Sequence, residues 1–146
     1  MTSKNNWKGK SFLTWHDIES QVQILSDKIK KTGFEFDTIA TVSRGGLVPA
    51  RLVADNLDVK KILVDKKKIP GRTLFVDDIY DSGDTFKKIL QIVDKPEKFL
   101  YATIIARKGT KYPKQLVYGK KTLGSEYVVF PWDRLEYERA HKPTKD

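Results

Sequence analysis

The sequence predicts an α/β fold with a mainly parallel sheet flanked by helices. Short β-rich runs alternate with segments whose apolar residues recur at helical spacing, the order expected of strand–helix–strand units. Leu74-Phe75-Val76 is continuously apolar, as suits a strand covered on both faces of a parallel sheet. Two glycine-bearing turns, Ser43–Gly46 and Asp77–Thr85, each follow a strand and precede a helix, at the carboxyl edge where such sheets bind ligands.

In chain order, Thr14-Trp15-His16-Asp17 reads as a helix N-cap with an acid three residues on. Ile18, Val22, Leu25 and Ile29 then mark one helix face, and Thr32-Gly33 ends it. Thr38–Val42 is a short strand. Leu47–Leu57 is a helix, provided that Pro49 lies in its first turn. Strands follow over Lys61–Val64 and Thr73–Val76. A helix is expected from the apolar spacing of Phe86–Val93, then a strand over Leu100–Ala106. Weaker strand patterns occur at Gln115–Tyr118 and Tyr127–Phe130, and Trp132 reads as a core residue. No repeat, low-complexity tract or linker interrupts residues 1–146, which are read as one domain.

With 146 residues, the chain is long enough for a substantial core and short for two. No run of eighteen apolar residues suggests a membrane span, and Met1–Asn6 leads into no apolar segment of a secretory leader. The chain has no cysteine, which removes disulfides and thiolate chemistry and fits the cytoplasm. His16 and His141 are far apart, and no Cys/His cluster suggests zinc. The +9 formal charge lies in scattered lysine pairs, compatible with a solvated surface, nucleic acid or an anionic small substrate.

The densest chemistry lies in Leu74–Thr85. A strand reaching Asp77-Asp78, then a turn with Ser82, Gly83 and Thr85, opens a helix whose free N–H groups and dipole suit a phosphate monoester. The paired acids suit a sugar diol or a divalent cation. In Ser43-Arg44-Gly45-Gly46, glycine lets the backbone approach an anion and Arg44 adds a charged donor.

These runs resemble the type I phosphoribosyltransferases, whose signature motif binds 5-phosphoribosyl-1-pyrophosphate (PRPP). The resemblance covers roughly Asp37 to Asp133. Thr41–Pro49 and Tyr127–Asp133 are similar to the bacterial xanthine–guanine and archaeal hypoxanthine–guanine members. It implies the type I phosphoribosyltransferase fold, with a small hood made by the terminal segments. The implied reaction converts guanine, xanthine or hypoxanthine and PRPP to the nucleoside monophosphate and pyrophosphate.

On the same resemblance, Asp77 and Asp78 hold the PRPP ribose, and Asp81, Ser82, Gly83, Asp84 and Thr85 the 5′-phosphate. Ser43, Arg44 and Gly45 hold the pyrophosphate, in a loop that often has unusual peptide geometry. Asp81 exchanges a proton near N7 of the purine, Tyr127 stacks on the base and Val128 reads its edge. Arg107 or Lys108 meets the 6-oxo group. The implied cofactor is Mg2+, with Asp78 and Asp133 as metal residues. The implied partners are PRPP and the purine base, with a homo-oligomer (dimer or tetramer) as the expected assembly and nucleic acid as an unexpected ligand.

One departure stands out. Family members usually carry a long closing loop between the second and third core strands, whereas only Asp65–Arg72 is available here, enough to cover less of a reacting centre. That short loop and the basic charge motivate a rival expectation, a nucleotide- or PRPP-sensing RNA-binding regulator on the same fold.

Overall fold

The computed structural model of the chain describes residues 6–7 and 9–141; apart from Asn6, the reading of Met1–Asn6 falls outside them. β1 (Asn6–Trp7) pairs antiparallel with β2 (Lys10–Phe12). Next come α1 (Trp15–Thr32), β3 (Thr38–Thr41), α2 (Leu47–Leu57), β4 (Lys61–Val64), β5 (Thr73–Tyr80) and α3 (Asp84–Leu90). The chain closes with β6 (Leu100–Ala106), β7 (Leu116–Lys121), β8 (Tyr127–Val129) and α4 (Arg134–Ala140). None of the described helices is long and apolar enough to cross a membrane.

Five strands form one all-parallel sheet in the order β4-β3-β5-β6-β7. Alternation along its central strands sends successive side chains to opposite faces. Leu74, Val76, Ala102 and Ile104 pack with Ile18, Val22, Leu25 and Ile29 of α1 and Val53 of α2. Phe75 and Tyr101 face the other way and pack with Phe86 and Ile89 of α3. Both sheet faces are therefore covered, which is why β5 and β6 read as unbroken apolar runs.

Local signals act where they were read. The Thr14 hydroxyl accepts the Asp17 N–H at 3.1 Å while the Asp17 carboxylate accepts the Thr14 N–H at 2.8 Å, a reciprocal cap. Gly33 ends α1 in the left-handed region at φ 72°. The expected hood forms as a separate sheet, in which β2 pairs parallel with β8, Lys10 opposite Tyr127 and Phe12 opposite Val129.

Several details differ from the sequence reading, the largest of them in β5, α3, β7 and Trp132. β5 continues past Val76 to Tyr80, because Asp77, Ile79 and Tyr80 keep their register with Thr103, Ile105 and Ala106 of β6. α3 starts at Asp84 and stops at Leu90 instead of spanning 86–93. Ile92 and Asp94 use their backbone groups to hold Ile69, whose N–H donates to the Ile92 carbonyl at 2.9 Å and whose carbonyl accepts from Asp94 at 2.8 Å. β7 extends to Lys121 alongside β6. Trp132 is half-buried rather than core, its ring stacked on Phe130 at 4.8 Å.

Candidate functional site

The turns after β3 and β5 meet because those strands are neighbours. The Thr41 hydroxyl donates to the Val76 carbonyl at 2.6 Å, tying the two strand ends together. Beyond Thr41 the Ser43–Arg44 peptide is cis. At Gly45 a Cβ atom would lie 2.6 Å from Asp78 Oδ2, so glycine is what lets the turn approach the paired acids.

Ser43 is anchored from the 65–72 loop. Its N–H donates to Asp65 Oδ1 at 2.9 Å and its hydroxyl to Oδ2 at 2.5 Å. The Ser43 hydroxyl and then its N–H hold the Asp65 carboxyl below its usual range. Ile69, 3% exposed, fixes the middle of the same loop in the core. The short loop therefore braces the Ser43 turn. The Arg44 guanidinium meets Glu136 of α4 at 2.8 Å, with both side chains largely exposed.

Asp77 and Asp78 lie on β5, inside the paired strand. Asp77 is 6% exposed, and burial, followed by the Asp78 charge, pushes its carboxyl up to about 8. Its Oδ1 accepts the Asp78 N–H at 2.9 Å and its Oδ2 the Tyr101 hydroxyl at 3.3 Å. Burial also raises Asp78, whose Oδ1 accepts the Ile79 N–H at 2.7 Å. Among the described residues neither acid forms an ion pair, and no three Asp, Glu, His or Cys side chains are grouped to hold a metal on their own. Half-buried Asp133 is raised by burial and then by the charges of Asp78 and Glu136, which places its carboxyl in the field of the β5 acids.

The turn into α3 passes through Gly83 at φ 89°, where a Cβ would lie 2.7 Å from the Tyr80 hydroxyl. The Asp84 N–H donates to Ser82 Oγ at 3.3 Å. The 77–86 run and Tyr101 line one open pocket.

On the hood side, Arg107 Nε donates to Asp81 Oδ1 at 3.2 Å, and its Nη1 donates to the carbonyls of Glu126 at 2.6 Å and Gly124 at 3.3 Å. Lys108 is exposed, and its N–H donates to Thr122 Oγ1 at 2.9 Å. The structure thus separates two residues that the sequence left equivalent: Arg107 faces Asp81. Tyr127 is exposed and lies face to face with Tyr137 of α4, 6.1 Å between centroids, while Val128 is half-buried.

All the positions singled out in the sequence therefore line the carboxyl edge of the sheet or the hood beside it. Asp65, Tyr101, Glu126, Glu136 and Tyr137 were missed. Asp65 had one available signal, an acid just past a strand, but strand order was needed to set it against Ser43.

No family model matches the chain. In sequence it is similar to the xanthine-guanine phosphoribosyltransferase of Nitratidesulfovibrio vulgaris (strain DP4), 25% identical over 152 residues that cover 91% of this chain and 90% of that protein. In structure it is similar to the Helicobacter pylori xanthine-guanine-hypoxanthine phosphoribosyltransferase, with a TM-score of 0.71 and 18% identity over 89% of this chain and 98% of that one. A purine phosphoribosyltransferase from Pyrococcus horikoshii Ot3 gives a TM-score of 0.68 and 21% identity, covering 94% and 98%. The chain has the type I phosphoribosyltransferase fold. Within it, the chain resembles the xanthine–guanine and hypoxanthine–guanine phosphoribosyltransferases. In this phosphoribosyltransferase fold the Ser43 turn meets the Asp77–Thr85 run at Asp78.

Proposed function

We propose that this chain is a purine-salvage phosphoribosyltransferase that joins a 6-oxopurine to PRPP and releases pyrophosphate. The observation that carries the reading is the convergence at Asp78. A glycine turn suited to an anion lies where any side chain would strike Asp78, and the strand that carries Asp78 runs on into a phosphate-type turn.

The Ser43–Gly45 turn holds the pyrophosphate through Arg44 and the Gly45 backbone while Ser43 anchors the turn on Asp65, and Asp77 and Asp78 hold the ribose hydroxyls. Ser82, Gly83, Asp84 and Thr85, with Asp81, surround the 5′-phosphate. The β5 acids fit Mg2+: they are hard oxygen donors, buried and without a cation partner among the described residues. Magnesium needs only one or two carboxylates when phosphates and water complete its shell. Asp78 and Asp133 are the residues that would hold it, and bound there it offsets charge on the leaving pyrophosphate.

The bond from C1′ to pyrophosphate breaks as the purine N9 approaches, and the purine proton passes to Asp81 near N7. Arg107 is favoured over Lys108 for the 6-oxo group because its guanidinium already reaches Asp81. Tyr127 stacks on the base and Val128 reads its edge. Positioning and charge stabilisation supply most of the rate. A cytoplasmic homo-oligomer is the assembly this reading carries with it. Nothing in the site favours the RNA-binding alternative.

The test is purified protein with Mg2+ and PRPP, offered guanine, xanthine, hypoxanthine and adenine in turn. A nucleoside monophosphate from at least one 6-oxopurine is expected, abolished by Asp77→Ala with Asp78→Ala. No product from folded protein overturns the enzyme, and adenine as best substrate overturns the 6-oxopurine assignment.

A further inference from the structure

We infer that Glu126 is a positioning residue for this reaction: its carboxylate folds the 123–126 turn into a carbonyl clamp that holds Arg107 against Asp81. The inference rests on the phosphoribosyltransferase reading above.

Glu126 Oε2 accepts the Leu123 N–H at 2.9 Å and Oε1 accepts the Gly124 N–H at 2.7 Å, so one side chain closes its own turn from the inside. The carbonyls of Gly124 and Glu126 then converge on Arg107 Nη1. Thr122 locks the base of the turn, its hydroxyl donating to the Gly124 carbonyl at 2.8 Å while accepting the Lys108 N–H. Arg107 is 14% exposed at its side chain, whereas Asp81 is 60% exposed. The buried partner is the held one, and the exposed acid takes its place from it.

An arginine stem has many rotamers, and ordering it costs entropy that a pair of preset carbonyls removes before substrate arrives. Burial opposes the charged Glu126 carboxyl, but the Leu123 and Gly124 donors and the Arg107 charge outweigh it and keep it below its usual range. Tyr127 directly follows Glu126, so the same turn also sets where the stacking ring begins.

Glu126→Gln keeps the shape but leaves one acceptor and points an N–H2 at a backbone donor. Its kcat/KM for the purine should fall about tenfold, the scale of one lost hydrogen bond to a charged group, while KM for PRPP stays within about twofold. Independently of activity, the Arg107 Nε–H signal in 15N spectra, assigned by its loss in Arg107→Lys, should exchange faster with solvent in the variant. Thr122→Val gives a second route to the same readouts if Glu126→Gln does not fold. Unchanged Nε–H exchange overturns the inference, as does a PRPP KM that rises in step with the purine effect. An inactive parent would refute the proposed reaction and leave the Arg107 signal to decide the clamp.

Discussion

Asp65 takes both hydrogen-bond donors of Ser43, the backbone N–H and the hydroxyl, across the gap between β4 and β3. The short 65–72 loop thus holds the Ser43 turn, proposed above as the pyrophosphate seat, in shape. Asp65→Asn offers one acceptor where two are needed. KM for PRPP should rise about tenfold, the scale of one charge-assisted hydrogen bond, with the purine KM little changed. Steady-state kinetics with each substrate varied checks it, and an unaltered PRPP KM removes Asp65 from the site.

The buried acid pair makes stability fall as pH rises. Asp77 is raised from an ordinary carboxylate value to about 8, so the folded chain holds a proton that the unfolded chain has released. Its contribution is full below about pH 4 and is lost as pH climbs through about 8. Thermal melts of the ligand-free protein should show this decline, and Asp77→Asn should flatten it. Mg2+ with PRPP should bind more tightly at pH 8 than at pH 6, because the ribose seat proposed for Asp77 and Asp78 and the metal seat proposed for Asp78 call for charged carboxylates. A parent melting curve indifferent to pH over that range would contradict the assignment.

Asp81→Asn separates proton transfer from turn shape. Asparagine is also a good turn residue and its carbonyl can still accept from Arg107 Nε. Turnover should fall about 10²–10⁴-fold, the range for a positioned general acid or base, with PRPP binding little altered. Near-normal kcat in this variant would end the catalytic role.

Gly45 and Gly46 should respond differently to alanine. At Gly45 the new methyl meets the end of the Asp78 side chain, which can turn away, so activity should be lost with a small change in melting temperature. At Gly46 it meets Thr41 Oγ1 and the carbonyls of Val42 and Val76, at 2.9 and 3.2 Å for the latter two. Backbone cannot step aside, and Gly46→Ala should cost about 1–3 kcal/mol of stability, the usual scale of overpacking. Paired melting and activity assays decide between the two behaviours.

Sequence by itself determined what is local. The Thr14–Asp17 cap, the Gly33 stop, the buried β5 and β6 runs and the two glycine turns are written in neighbouring residues, because caps, strand alternation and left-handed turns act over a few positions. The strand–helix alternation also implied the parallel sheet, and with it the edge at which both turns would lie. Only the tertiary structure decided what depends on which strands are neighbours. It set Asp65 beside Ser43, gave Arg107 rather than Lys108 to Asp81, and turned a helical pattern at Ile92–Val93 into a clasp for Ile69. A hydrogen bond between residues far apart in sequence leaves no spacing signal in either, since its energy comes from geometry that exists only once the sheet has assembled.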